Sequence, residues 1–339
     1  MAKTALVVSG GGSRGAFAVG VLEYMQAHVR PIDQFDIYCG TSTGSLIVPL
    51  AACGELPLLR RLYTTTRQND VLILGGITNL ARSISLHDAQ PLKRLIDRTL
   101  TDSHFAEIQR RGLPVYIATV CLQTERLVYW ATQPLRVGGD YDVETISSAN
   151  ILRGAMLASS CQPVFMQPVE MRGQQYTDGG VREITPLQAA IDAGAETIIS
   201  ITLTPKVLPP DPNRLTSAVQ ILERTIDMFS EDVGQNDYRL ARLYQRGNQY
   251  LQAVRSRLLA AGVPASVVNN ALAQTSNPFA NTAVTTIHEI RPSRMLEGGG
   301  PGGLTFNPAA MELMRQQGFA EAKAFFEALT PASVQDLTI

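Results

Sequence analysis

Apolar residues along this chain follow two rhythms that alternate in its first fifty positions. Residues 4–8, Thr-Ala-Leu-Val-Val, form a short apolar run that ends in glycines, after which Ala18, Val21, Leu22 and Met25 recur at i, i+3, i+4 and i+7. The run reads as a buried strand and the recurrence as one face of a helix, joined by a glycine turn. Residues 36–39 lead in the same way into Gly40-Thr41-Ser42-Thr43-Gly44 and then the helical stretch of Leu46, Ile47, Leu50 and Ala51. Two consecutive strand-turn-helix units predict neighbouring parallel strands with right-handed crossovers.

Farther on, residues 115–121 and 127–131 are rich in Val, Ile, Tyr and Trp and lie five residues apart, which predicts a β-hairpin and a mixed sheet. Residues 151–158 read as a helix. Thr185-Pro186 places a capping hydroxyl before a proline at the first helical position, so a helix is expected over 187–193, ended by Gly194. Residues 197–203 form a β-branched strand, and the prolines at 209, 210 and 212 then break regular structure. Leu215, Val219, Leu222, Ile226 and Phe229 step by fours and threes. Leu240, Leu243, Gly247, Leu251, Val254 and Leu258 do nearly the same beyond a break near Gly234. That pattern predicts a helical hairpin whose apolar stripes pack on the sheet domain, with a lid or a homodimer seam as the alternative. Residues 284–290 suggest a late strand, the glycine cluster over 298–303 a loop, and Asn307-Pro308 the cap of a last helix carrying Leu313, Met314, Phe325 and Phe326. The expected class is α/β, a three-layer α/β/α fold with a mostly parallel central sheet and an additional helical hairpin. Its parts are a core over 1–205, the hairpin over 206–280, and a C-terminal strand and helix over 281–339 that complete the same domain.

Composition excludes several classes. With 45% hydrophobic and 17% charged residues the chain folds rather than staying disordered. Twenty-nine Lys and Arg face 30 Asp and Glu, so no basic excess exists to bind nucleic acid. The longest apolar stretch, around residues 46–53, is far short of the roughly 20 residues that cross a bilayer, which limits membrane contact to the periphery. The start lacks the long apolar segment and cleavage site of a signal peptide, and Cys39, Cys53, Cys121 and Cys161 form no Cys-x-x-Cys pair. A cytoplasmic protein, at most peripheral at a membrane, is expected.

Candidate chemistry begins with Gly40-Thr41-Ser42-Thr43-Gly44, which fits the G-x-S-x-G elbow that exposes a serine between strand and helix. The helix N-terminus beyond Ser42 favours negative charge developing beside it. Gly10-Gly11-Gly12-Ser13-Arg14-Gly15 satisfies G-x-G-x-x-G, but the ribose-binding acid of a dinucleotide site would be Asp33 or Asp36, where the chain runs straight into the serine elbow. Such a loop can instead offer backbone N–H groups to an oxyanion, with Arg14 adding positive charge. Of the four histidines, His28, His87, His104 and His288, only His288 follows Ser42 far enough on to mimic the usual order of a hydrolase triad, and it lies within an expected strand. Asp178-Gly179-Gly180 is the better base: the glycines permit close approach, and burial would raise the carboxyl pKa into a useful range. An Asp-Gly β-turn is the competing reading of that dipeptide.

The glycine loop with Arg14, the Gly-Thr-Ser-Thr-Gly elbow, Ala158-Ser159-Ser160-Cys161-Gln162-Pro163 and Asp178-Gly179-Gly180 together resemble the patatin-like phospholipase family in composition, order and spacing. The resemblance implies that Ser42 is the nucleophile and Asp178 its partner in a two-residue dyad without histidine. It implies an oxyanion and substrate-binding site at Gly10, Gly11, Gly12, Arg14 and Gly15, with Gly40, Gly44, Gly179 and Gly180 as the glycines of the elbow and the Asp-Gly-Gly motif. The Ala-Ser-Ser block would run beside the site, although Gln162 and Met166 stand where small residues or proline are commoner. The implied activity is hydrolysis of fatty-acyl esters of phospholipids, lysophospholipids or galactolipids through an acyl-enzyme, with no metal or other cofactor. Alternatives are acyl transfer by the same dyad, or a catalytically silent binding module that cradles a phosphate in its glycine loop.

Overall fold

The structure, a computed structural model, describes residues 2–75, 83–135, 140–208, 210, 214–273, 277 and 285–329. Strand β1 (Thr4–Val8) is buried at every position and passes through a turn of 3-10 helix at Gly12–Arg14 into helix α1 (Gly15–His28). Strand β2 (Ile37–Thr41) runs parallel to β1 and turns at Ser42 into α2 (Thr43–Ala52). Helices α3 (Leu56–Thr65), α4 (Gln68–Val71), α5 (Gln90–Thr99) and α6 (Asp102–Arg110) lead to β3 (Val115–Cys121), which is parallel to β2. The expected hairpin follows, β3 pairing antiparallel with β4 (Leu127–Ala131), and β5 (Tyr141–Thr145) runs parallel to β4. Helix α7 (Ala149–Ser160) and strands β6 (Val169–Met171) and β7 (Gln174–Asp178) bring the chain back to β3, beside which β7 lies antiparallel.

After α8 (Leu187–Asp192), strand β8 (Thr197–Ile201) enters the sheet parallel to β1. Helices α9 (Ala218–Ala260) and α10 (Ala265–Leu272) come next, then β9 (Thr286–Ile290), parallel to β8, and α11 (Pro308–Ala328), whose N-cap Asn307 accepts from the Ala309 and Ala310 amides. The main strand order is β5-β4-β3-β2-β1-β8-β9, and the sheet is mixed and mostly parallel. Successive side chains of a strand face opposite ways, and both faces are covered here. Leu6, Val8, Tyr38, Ile117 and Ile199 join one core with α1, α2, α7 and α11. Ala5, Val7, Ile37, Tyr116 and Ile198 join the other with α8 and with Tyr238 and Ala241 of α9. The three layers are those that the sequence predicts. Among the described residues no helix is long and apolar enough to cross a membrane.

The expected helical hairpin is corrected. In place of two helices broken near Gly234, α9 continues through it for 43 residues, a length of about 64 Å at 1.5 Å per residue. Gly234 stays helical because it marks close packing and not a chain break: a Cβ there would lie 2.8 Å from Ile184 Cγ2. The stripe does not pack on the sheet domain either, since Phe229, Leu240 and Leu243 are exposed. Tyr238, Ala241 and Asn248 are what α9 buries among its described side chains. Thr185 does not cap α8, whose N-cap is Pro186 without a side-chain bond. The Thr185 amide goes instead to Asp237 of α9, a partner 52 residues away. The Pro-rich segment and the start of the last strand fall partly outside the described residues, at 209, 211–213 and 284.

Candidate active site

Ser42 sits between β2 and α2 with φ 52° and ψ −123°, a conformation that residues with side chains rarely adopt. Neighbouring residues make room for it. A Cβ at Gly44 would lie 2.0 Å from the Val8 carbonyl oxygen, and one at Gly40 would lie 2.5 Å from the Gly44 backbone. Hydrogen bonds then hold the turn. Ser159 Oγ accepts the Ser42 N–H at 2.8 Å and donates to the Ala118 carbonyl at 2.7 Å, and the Ser45 hydroxyl donates to the Ser42 carbonyl at 2.6 Å. The Ala-Ser-Ser block therefore lies beside the elbow and supports it.

Asp178 ends β7 opposite Thr119 of β3, its amide donating to the Cys161 carbonyl at 2.9 Å. The following glycines form a 3-10 turn, Gly179–Val181, and not a hairpin tip. Oδ1 accepts the Gly180 N–H at 2.8 Å, and the Ser42 side chain lies beside the carboxyl in the cleft that both line. Burial pushes the pKa of Asp178 from 3.8 up to about 7, against the opposing pull of the Gly180 N–H and the neighbouring Ser42 side chain. A carboxyl titrating there can both take and return a proton at neutral pH. Gly179 is required by proximity, since a Cβ would lie 2.4 Å from the Ala118 carbonyl oxygen.

Of the glycine loop, only part is open to a ligand. The Gly10 amide donates to the Ile184 carbonyl at 3.0 Å, and the Gly15 amide turns back to the Gly12 carbonyl. Neither is free to meet an oxyanion, which corrects the expectation for those two positions. Gly15 instead packs against Thr43 and Tyr63. The Gly11 and Gly12 amides have no hydrogen-bond partner among the described residues. Arg14 lines the cleft beside them, but its Nη2 donates to the Gly300 carbonyl at 3.0 Å, and burial lowers its pKa against the opposing charge of Asp227. Its charge is thus partly answered within the protein.

Two cavities meet at Ser42. One, about 80 Å³, is narrow and lined by Leu46, Leu50, Leu92, Ile96, Met156, Met166 and Phe306 among others. The other is an open cleft of about 960 Å³ bounded by Gly10, Gly11, Arg14 and Asp178 on one side and by Leu222, Ile226 and Phe229 of α9 on the other. Gln162 lines both, its Nε2 donating to the Gly302 carbonyl at 2.9 Å. His288 lines neither and sits in β9 with its ring against Phe325.

Sequence reasoning missed the loop over 298–303 as part of the site. Gly12 and Gly303 both have positive φ, and a Cβ on Gly12 would lie 2.2 Å from the Gly303 carbonyl oxygen. The glycine cluster was a visible signal for a turn, but nothing local announces contact with a loop almost 300 residues earlier.

The family model for patatin-like phospholipases matches residues 6–191. The chain is 30% identical over 214 residues to the uncharacterized protein YjjU of Escherichia coli K12, covering 60% of this chain and 52% of that one. It is 25% identical over 221 residues to the calcium-independent phospholipase A2-gamma of Oryctolagus cuniculus, covering 58% of this chain and 27% of that one. It is 23% identical over 252 residues to a cUMP-AMP-activated phospholipase of Escherichia coli, covering 68% and 75%. The chain thus spans about half of the first of these relatives and about a quarter of the second.

Proposed function

The chain belongs to the patatin-like phospholipase family, and from that premise we propose that it hydrolyses fatty-acyl esters of lipids through Ser42 and Asp178. The observation that carries the reading is a serine on a strained strand-to-helix turn, beside a buried carboxyl of raised pKa, where an apolar cavity and a larger cleft meet. Ser42 Oγ attacks the ester carbonyl while its proton passes to Asp178. The negative oxygen faces the Gly11 and Gly12 amides and the N-terminus of α2, where charge develops only in the transition state. Collapse expels the alcohol, which takes the proton from Asp178 and leaves the acyl-Ser42 ester. Water then gives a proton to Asp178 and attacks that ester, releasing fatty acid and restoring the serine. The apolar cavity suits the acyl chain, and the cleft suits the alcohol part of the lipid.

Exposed Val164, Val181 and Phe229 line the same cleft, and Ile221 and Met228 lie exposed on α9 beside it. Such a patch is suited to a lipid surface, so we read the enzyme as peripheral, its N-terminal half of α9 covering the mouth of the site. Four free cysteines favour a reducing compartment, the cytosol.

Intact mass after incubation with a fluorophosphonate tests the chemistry. One adduct on the wild type, absent from Ser42→Ala and Asp178→Asn, is expected. A wild type that takes no adduct, or a Ser42→Ala variant that still takes one, would overturn the assignment.

A further inference from the structure

We propose that Asp237, on α9, is a positioning residue for the oxyanion loop and acts through Ile184; the inference rests on the reading of Gly11 and Gly12 as oxyanion donors. Asp237 Oδ2 accepts the Ile184 N–H at 3.0 Å and the Thr185 N–H at 2.9 Å. The Thr185 N–H and the Ile184 carbonyl belong to one peptide group, and that carbonyl accepts the Gly10 N–H at 3.0 Å. One peptide plane is therefore gripped on one side by α9 and on the other by the first glycine of the loop. Hydrogen bonds in such a chain polarise one another, so the carboxyl of Asp237 strengthens the Gly10 bond as well as orienting it. Gly11 and Gly12 follow Gly10 directly, and the place of their amides depends on where Gly10 is held.

The Ile184 side chain completes the connection. A Cβ on Gly10 or on Gly180 would lie 2.6 Å from Ile184 Cδ1, and one on Gly234 would lie 2.8 Å from Cγ2. Three glycines from three segments, the oxyanion loop, the Asp178 turn and α9, thus close around one isoleucine. A shift of α9 would reach both halves of the site through that residue. Asp237 and Gly234 lie beyond residues 6–191, the part of the chain that the family model matches.

The test uses the full chain with Asp237→Ala, Asp237→Asn and Gly234→Ala. Two quantities are read: amide hydrogen exchange over residues 9–15, and kcat and KM on p-nitrophenyl butyrate, normalised to sites titrated with a fluorophosphonate. Asp237→Ala is expected to speed exchange over 9–15 and to lower kcat about 10- to 100-fold with KM nearly unchanged, the cost of a small misplacement of catalytic donors. Asp237→Asn keeps an acceptor oxygen and restores most of the lost rate. Gly234→Ala crowds Ile184 while leaving the carboxyl, and gives the same signature to a smaller degree even if Asp237→Ala fails to fold. Unchanged exchange over 9–15 in a folded Asp237→Ala or, if that fails to fold, in Gly234→Ala overturns the proposal. So does faster exchange with kcat per titrated site unchanged. A wild type that takes no fluorophosphonate fails the functional reading instead, and exchange alone then decides the positioning of the loop.

Discussion

The serine turn and helix α9 line the same cleft and are held in opposite ways. Ser42 is 4% exposed, pinned by hydrogen bonds from three serines, and its flanking glycines leave no space for a single methyl group. Along its 43 residues α9 exposes Ile221, Met228, Phe229, Leu240, Leu243 and Tyr250, and it docks through Asp227, which accepts the Gly302 N–H at 3.0 Å, and through a middle section around Asp237, Tyr238 and Ala241. Chemistry that tolerates little displacement is built on the interior of the sheet, while the element that meets substrate is drawn from the part with little buried area, where local opening costs least.

The sharpest way to break this contrast is to remove the nucleophile. Ser42→Ala should lower kcat on a soluble ester by about 10⁴-fold or more, as removal of a covalent nucleophile does, and a variant that kept a tenth of the rate would move the chemistry away from the turn. Asp178→Asn should cost on the order of 10³-fold, because an amide cannot take the serine proton. If Asp178 is the base, as proposed, its ionised form is the active one, so the wild-type rate should rise with pH up to about 7 and then level. The same shift carries a cost in stability. Between an unfolded value of 3.8 and a folded one of about 7, the native state holds a proton that the unfolded chain has lost. Stability therefore falls as pH rises through that window. Asp178→Asn should show a Tm advantage over wild type that grows from pH 4 to pH 7, and a pH-independent difference would argue that the carboxyl is not held dry.

Packing at the turn is next in size. Gly44→Ala places a methyl 2.0 Å from a backbone oxygen in the sheet and should cost on the order of 3 kcal/mol or prevent folding. Gly262→Ala, at φ +83° just past α9 with nothing within 4 Å, should cost only about 1 kcal/mol of backbone strain. Chemical denaturation of the two variants compares them directly, and equal losses would mean that crowding adds nothing at the elbow.

What could be read from the sequence follows the same division. Strands β1 to β4, β8 and β9 and the serine turn were legible because each depends on neighbours a few residues away, an apolar run or two flanking glycines, whereas β5 and β6 were not, since short, partly exposed strands carry no such run. The Gly10 and Gly15 amides were not, since the partner of one is the carbonyl of Ile184 and that of the other lies inside a 3-10 turn. Thr185 looked like a cap from the Thr-Pro pair, but the helix begins one residue later, with Pro186 in the cap position. Gly234 looked like a break for a different reason. A glycine's local preference says only that a side chain is absent, and the cause, here Ile184, comes from another part of the fold.

The smallest predicted effect probes the exposed half of the comparison. Ile221 and Met228 are 54% and 53% exposed on α9 and lie outside both cavities, so replacing both with serine leaves the reacting groups untouched. If this face meets lipid, the pair loses apolar burial only when the substrate sits in a bilayer. The ratio of the rate on phosphatidylcholine vesicles to the rate on p-nitrophenyl butyrate should then fall about tenfold, the equivalent of partly burying two such side chains. An unchanged ratio would mean that α9 covers the cleft without touching the membrane, and that its exposed apolar residues serve another partner. A fall in both rates together would mean that the N-terminal half of α9 is as tightly coupled to the serine turn as its middle, and that the contrast between a fixed site and a loosely held cover does not extend along the helix.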